Sequence, residues 1–177
     1  MKLVPPSARH RDSFLRAADA FAREGLPWWQ GPRLELARRD FDAFVREKLA
    51  EAERGTPARP PKTHRWAIVQ DVFVGRIAVF HHLTDALRRV GGHIGYDTHP
   101  EHRGRGYATQ MLGQMLPVAR TLGLQRVLLT CDASNLASVT VIERNGGVRA
   151  VSDHPSAKLR FWIALDGSSG AQASTKM

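Results

Sequence analysis

The stretch Pro100-Glu-His-Arg-Gly-Arg-Gly-Tyr-Ala-Thr-Gln-Met-Leu112 decides the fold. It follows a strand-like run, His93 to Thr98, and opens a helix-like one, Arg105 to Leu122, so it reads as a strand-to-helix corner. A helix N-terminus leaves its first N–H groups without partners and carries partial positive charge. Glycines let an anion approach those groups closely. Gly104, Arg105, Gly106, Tyr107 and Ala108 would supply the N–H groups, and Arg103 and Arg105 add charge. The plain alternative is a basic surface turn. No Gly-Lys-Ser/Thr follows, which excludes a Walker loop, and Thr109 stands where a dinucleotide fingerprint needs its third glycine.

Downstream of the corner, Ala108, Met111, Leu112, Met115, Leu116, Ala119 and Leu122 form one helical stripe. Pro117 predicts a kink, with Gly113 four residues earlier leaving room for it. Gly123 ends the helix and Arg126 to Cys131 reads as a buried strand. Strand, helix and strand with short links make a right-handed crossover and two parallel strands. A short helix from Asn135 to Arg144 stops at Asn145-Gly-Gly147, and two antiparallel strands follow, near Val148 to Asp153 and Leu159 to Leu165.

Upstream, Lys2 to Val4 reads as a strand and Ser7 as the N-cap of a helix from Ala8 to Arg23. Trp28 and Trp29 sit in a loop, followed by one long helix from about Pro32 to Arg54 and a proline-rich connector, Gly55 to Pro61. His64 to Gln70 and Phe73 to His82 form a hairpin about a turn at Asp71-Val72, with a loop containing one helical turn over Leu83 to Gly92. The fold class is α+β, with a mixed sheet and helices on both faces.

A length of 177 residues suits one domain, here 1–166, with a polar tail, 167–177, expected to be disordered. Apolar content of 42% and charged content of 24% are ordinary globular values. No apolar run is long enough to span a bilayer, and the single cysteine, Cys131, excludes an internal disulfide framework, so the expectation is cytoplasmic. The formal charge of +9 draws anions without saying which. The arginines are spread over helices and loops, with no zinc knuckle or ribonucleoprotein motif, which disfavours a nucleic-acid binder. The histidines show no metal spacing, and His99 and His102 lie too near the corner turn to read as a ligand pair, so no metal is expected.

Arg103-x-x-Gly106-x-Ala108 resembles the Arg/Gln-x-x-Gly-x-Gly/Ala signature of the GNAT superfamily of acyl-CoA-dependent N-acyltransferases. Tyr96-Asp-Thr-His-Pro100 is similar to that family's fourth strand, and Asn135-Leu-Ala-Ser138 with Glu143-Arg-Asn-Gly-Gly147 to its next helix. Gly91-Gly-His-Ile-Gly-Tyr96 and Arg160-Phe-Trp-Ile163 look like a bacterial GNAT subgroup of predicted acetyltransferases. The resemblance covers roughly Thr63 to Leu165. It implies a mostly antiparallel sheet of six to seven strands with a splayed, parallel central pair. It implies acetyl-CoA as acyl donor, its pyrophosphate on residues 103–108 and its pantetheine arm along Tyr96, Asp97 and Thr98. A backbone N–H near Thr98 would face the thioester carbonyl, and Asn135 and Ser138 would touch the cofactor. Homodimers are common among such proteins.

A general base is implied at Gly92 or His93, where many members carry a glutamate. His93 is the first candidate, against the alternative of a histidine bonded within the sheet. His82, with its neighbour His81, is the second, and Asp132 the third. The tyrosine that protonates the departing thiolate in many members falls at Ile142 here, so Ser138, water or unassisted departure must serve. Trp28 and Trp29 either wall the acceptor site or anchor their loop. Cys131 reads as a buried strand residue and not a nucleophile. The implied reaction is direct acetyl transfer to an amine of a small molecule or peptide. An acyl-CoA-binding domain without turnover is the alternative. The basic excess favours an anionic or uncharged acceptor over a polycation.

Overall fold

Alternating apolar residues and glycine-punctuated turns build two antiparallel sheets, described by a computed structural model over residues 1–26, 29–56, 58–150 and 158–165. The first sheet has the order β1-β2-β3-β4, from Lys2–Val4, Lys62–Val69, Val72–Phe80 and Ile94–Thr98. The second has the order β5-β7-β6, from Arg126–Asp132, Lys158–Ala164 and Val148–Arg149. The hairpin between β2 and β3 turns at Gln70 and Asp71, both at positive φ, one residue earlier than expected. That pair of left-handed residues gives a two-residue turn whose twist suits the strands.

The helices are α1 (Arg11–Arg23), α2 (Pro32–Arg39), α3 (Phe41–Ala50), α4 (Asp85–Arg89), α5 (Tyr107–Thr121) and α6 (Leu136–Arg144). Ser7 caps a short 3-10 turn, Ala8–His10, that leads into α1. Phe14, Ala17, Ala18 and Phe21 then form the buried face of α1. With α2 and α3 they enclose an aromatic core against Trp66, Ile68 and Phe73 on one face of the first sheet. On the other face, Met111, Leu112, Met115 and Ala119 of α5 pack on Ile77, Val79 and Ile94, and Ile142 of α6 and Phe161 and Ile163 of β7 complete that core.

One expectation is corrected. The long helix from Pro32 to Arg54 is two helices, because Asp40 is extended (φ −144°) and its carboxylate accepts the N–H of Ala43. An aspartate offering its oxygen to the backbone competes with the helix and starts a new one. The crossover through α5 is present, but no ladder joins β4 to β5. Among the described residues the two strands meet at one point, where the His93 N–H donates to the Leu128 carbonyl (2.7 Å). Beyond that apex they diverge. Pro117 lies inside α5, and Gly113 serves a further purpose. A side chain there would meet the Asn145 carboxamide, whose Nδ2 donates to the Thr109 and Val141 carbonyls and ties α6 to α5. The tail at 167–177 and Trp28 lie outside the described residues.

Candidate active site

The splay between β4 and β5 follows from Gly91-Gly92-His93. Gly92 sits at φ +70°, and a Cβ there would lie 2.3 Å from the Leu128 carbonyl oxygen, so only glycine lets the strands touch. His93 is buried and locks the contact twice: its N–H donates to Leu128 O, and its Nδ1 accepts the Leu128 N–H (2.9 Å). With Nδ1 accepting, the neutral ring carries its proton on Nε2. The ring therefore has no lone pair to offer an ammonium. His93 is a clamp, which corrects its place as first candidate for the base. Burial, then Arg88 and His82, push its pKa down to about 4.

That depression has a measurable sign. The unfolded chain takes up the proton near the ordinary pKa of 6.5, the folded chain only near 4. The stabilisation is complete above pH 6.5 and is lost as pH falls through that window. Between pH 7 and pH 4.5, denaturant unfolding of the wild type is expected to lose about 2–3 kcal/mol more than that of His93→Gln. His64, also held neutral to about pH 4 by burial, is common to both proteins and cancels. Equal losses would remove the clamp.

Along β4 the hydrogen-bond alternation is set by two bonds, Phe80 N–H to His93 O and His99 N–H to Val74 O. Gly95 and Asp97 therefore point their backbone groups at β3 and Ile94, Tyr96 and Thr98 point theirs into the splay, while His93, just before the strand, divides its own, the carbonyl toward β3 and the N–H toward β5. Two side-chain atoms there, Tyr96 Oη and Thr98 Oγ1, are buried without a hydrogen bond among the described residues. Burial pushes the Tyr96 hydroxyl up to about 12, Ser138 pulling it partly back and Cys131 raising it, so it stays protonated. Tyr96, Ser138 and Cys131 thus gather at one side of the splay. Burial also pushes the Cys131 thiol up, as expected for a strand residue that is not a nucleophile.

At the far end of β4 the chain makes a 3-10 turn, Pro100–His102, and reaches the corner. Gly104 (φ +73°) and Gly106 (φ +75°) are left-handed, and a Cβ at either meets nothing within 4 Å. Gly106 is the N-cap of α5 and offers no side chain. The N–H groups of 104–108 have no acceptor among the described residues. Arg105 is exposed beside them. Arg103 is committed elsewhere: its guanidinium pairs with both carboxylate oxygens of Glu24 (2.9 and 2.6 Å) and Nε donates to Thr98 O (3.2 Å). It braces the corner against α1, where the expectation was an anion contact from its side chain. Asn135 caps α6, its Oδ1 accepting the Ser138 N–H (3.0 Å).

The opposite face of β4 carries Gly95 and Asp97. Gly95 is exposed, with open space where a Cβ would be. Asp97 pairs with the buried Arg76 across β3 and accepts from Trp29 Nε1 (3.3 Å). Trp29 stacks on Phe21 at 4.3 Å, so it anchors its loop and touches the site at once. The sequence does not single out Arg76, reads Trp29 as either walling the acceptor site or anchoring its loop, and places Asp97 on the cofactor. Strand alternation puts Gly95 and Asp97 on one face, but only the β2–β3–β4 register puts Trp66, Arg76 and Asp97 in one row.

The other expected residues fall outside this face. His82 is exposed in the bend after β3 and makes no hydrogen bond among the described residues, while His81 bonds Thr63 Oγ1 (2.8 Å). Asp132, at the tip of β5, pairs with Lys158 (3.0 Å) across to β7 and is exposed. Ile142, where the proton-donating tyrosine was sought, is fully buried in the core. No group able to hold a metal ion occurs among the described residues, nor any helix long and apolar enough to cross a membrane.

The family model described as "Acetyltransferase (GNAT) domain" matches residues 1–148. No curated protein matches at a significant level. Among solved structures, the chain is similar to Mycobacterium smegmatis RimJ in complex with CoA-disulfide, at 21% identity and a TM-score of 0.67 over 92% of this chain and 80% of that one. It is similar to RimL, a ribosomal L7/L12 alpha-N-protein acetyltransferase in complex with coenzyme A, at 16% identity and a TM-score of 0.64 over 94% and 100%. It is also similar to yncA of Salmonella typhimurium with its cofactor acetyl-CoA, at 14% identity and a TM-score of 0.60 over 98% and 97%.

Proposed function

The chain belongs to the GNAT acetyltransferase family, an acyl-CoA-dependent N-acetyltransferase by that membership, and from this premise we propose that it moves an acetyl group to a primary amine that approaches over Gly95 and Asp97. The observation that carries the reading is the splay itself. One wall has backbone groups of Ile94, Tyr96 and Thr98 turned into it, two unpartnered hydroxyls lie along it, and the bare N–H groups of 104–108 stand at its mouth. An extended pantetheine arm can add to such an edge as a strand does, with a diphosphate at the helix N-terminus. Acetyl-CoA supplies the activated acyl carbon. The N–H of Tyr96 or Thr98 donates to the carbonyl oxygen, where negative charge grows as the amine attacks.

The amine nitrogen forms the new C–N bond and the C–S bond breaks. The nitrogen loses a proton to water through Asp97, the one carboxylate on β4, which accepts a hydrogen bond from the incoming amine. The departing sulfur gains a proton from Tyr96, which stays protonated through neutral pH. This assigns to β4 the acid that many family members place on the following helix. Holding the two reactants at attack distance supplies much of the remaining acceleration.

Isothermal titration with acetyl-CoA, then thiol release with an amine panel, tests the reading. Binding followed by amine-dependent thiol release supports it. Binding without release by any amine would make the chain an acyl-CoA sensor. Asp97→Asn and Tyr96→Phe are expected to keep acetyl-CoA affinity within about threefold and to lower kcat by about 100-fold. Melting curves are read alongside, because Asp97 also neutralises Arg76. Unchanged kcat in both variants would move the proton transfers elsewhere.

A further inference from the structure

Two cavities lie on the α1–α3 side of the first sheet, and Arg33 lines both. The larger, of about 500 Å³, is bounded by Arg33, Arg54, Arg59 and Lys62 with the carboxylates of Glu47 and Glu51. Glu51 is already engaged by Lys48 and by His64 Nε2 (2.7 Å). The smaller, of about 30 Å³, has Lys48, His64, Trp29 and Arg76 in its wall, and Arg76 leads directly to Asp97 on β4. Arg33, in the wall of both cavities, and Arg76, paired with Asp97, place a chamber of the size that small ligands occupy on the same side of the first sheet as Asp97.

We propose that the acceptor is a small amine carrying a carboxylate or phosphate, and that this chamber holds its anionic group. The proposal rests on the acetyltransferase reading above and adds the chemical class of the substrate. Three arginines and a Lys62 about half protonated at neutral pH face two carboxylates, one of them already bridged by Lys48, which leaves the chamber with a positive excess. Lys62 answers to burial first and to those charges second. Its ammonium lies 4.5 Å from the Phe80 ring centre, and burial, then Arg76, push its pKa down to about 7, with Lys48 and Arg33 adding and Glu51 opposing. The arginine excess disfavours a polyamine and draws an anion.

Matched acceptors test this: glutamate against glutamine, phosphoserine against serine, glucosamine 6-phosphate against glucosamine, and spermidine as a polycation. Each is measured as acceptor by thiol release and as ligand by isothermal titration calorimetry. The anionic member of at least one pair is expected to exceed its neutral partner by tenfold or more in kcat/KM. The amino-acid and phosphate pairs tell carboxylate from phosphate. Arg54→Gln/Arg59→Gln is expected to bring that ratio close to one, and Arg39→Gln, exposed on α2 outside the cavity, to leave it unchanged. Neutral amines or spermidine used as well as the anionic ones, or a ratio that survives the double variant, would overturn the proposal. Charge-dependent binding without turnover supports the chamber and instead overturns the acetyltransferase reading.

Discussion

Gly106→Glu is expected to abolish acetyl-CoA binding, with affinity falling by more than about 100-fold, or about 3 kcal/mol. Three effects act in one direction. Gly106 is at φ +75°, where a side chain costs about 1–2 kcal/mol. The new carboxylate sits at the start of α5, where its negative charge repels a diphosphate and where it can itself take up the bare N–H groups. Its bulk also enters space that is open to 4 Å around the glycine. Gly106→Asn separates these effects, because asparagine tolerates left-handed backbone and carries no charge. It should lose about tenfold or less. Calorimetric titration reads both, with circular dichroism confirming intact helix. Affinity for the glutamate variant within threefold of wild type would take the diphosphate away from this corner.

The corner was legible in the sequence because its chemistry is local. Gly104 and Gly106 each need positive φ, and both requirements fall within three residues of a strong apolar stripe. The start of α6 was legible as well, although the expectation for Asn135 was the cofactor and the structure makes it the helix cap, reaching Ser138 within one turn. The break at Asp40 was local too, yet hidden. Ala37, Phe41 and Phe44 keep helical spacing across it, and only the carboxylate's bond to Ala43 shows that the helix restarts there. The acceptor face was not legible. Trp29, Arg33, Lys62, Arg76 and Asp97 come from separate segments, and burial and charge compensation join them only after the sheet forms. His93 shows the limit most clearly. A histidine at the start of a strand can be base or clamp, and the choice is made by Leu128, thirty-five residues away.

The second large effect is expected at the apex. Gly92→Ala should lower stability by about 3 kcal/mol or more, which in a chain of this length moves the melting temperature down by about 6–12 °C. Left-handed backbone alone accounts for about 1–2 kcal/mol. The remainder comes from a Cβ placed 2.3 Å from Leu128 O and 2.9 Å from its carbonyl carbon, both backbone atoms that no rotamer change can move. Relief requires the chain before β4 to separate from β5 at the apex, breaking both bonds between His93 and Leu128. The splay would then lose its fixed width, so acetyl-CoA affinity should fall together with stability. Gly95→Ala, three residues along, is the matched control. It has ordinary φ, meets nothing within 4 Å, and should change stability by no more than about 0.5 kcal/mol. Its methyl group stands instead on the acceptor face, so any loss it causes should appear in KM for the amine and not in the melt. If Gly92→Ala melts with the wild type, the apex is compliant, and the divergence of the two strands must be set by the helices packed on them rather than by the glycine.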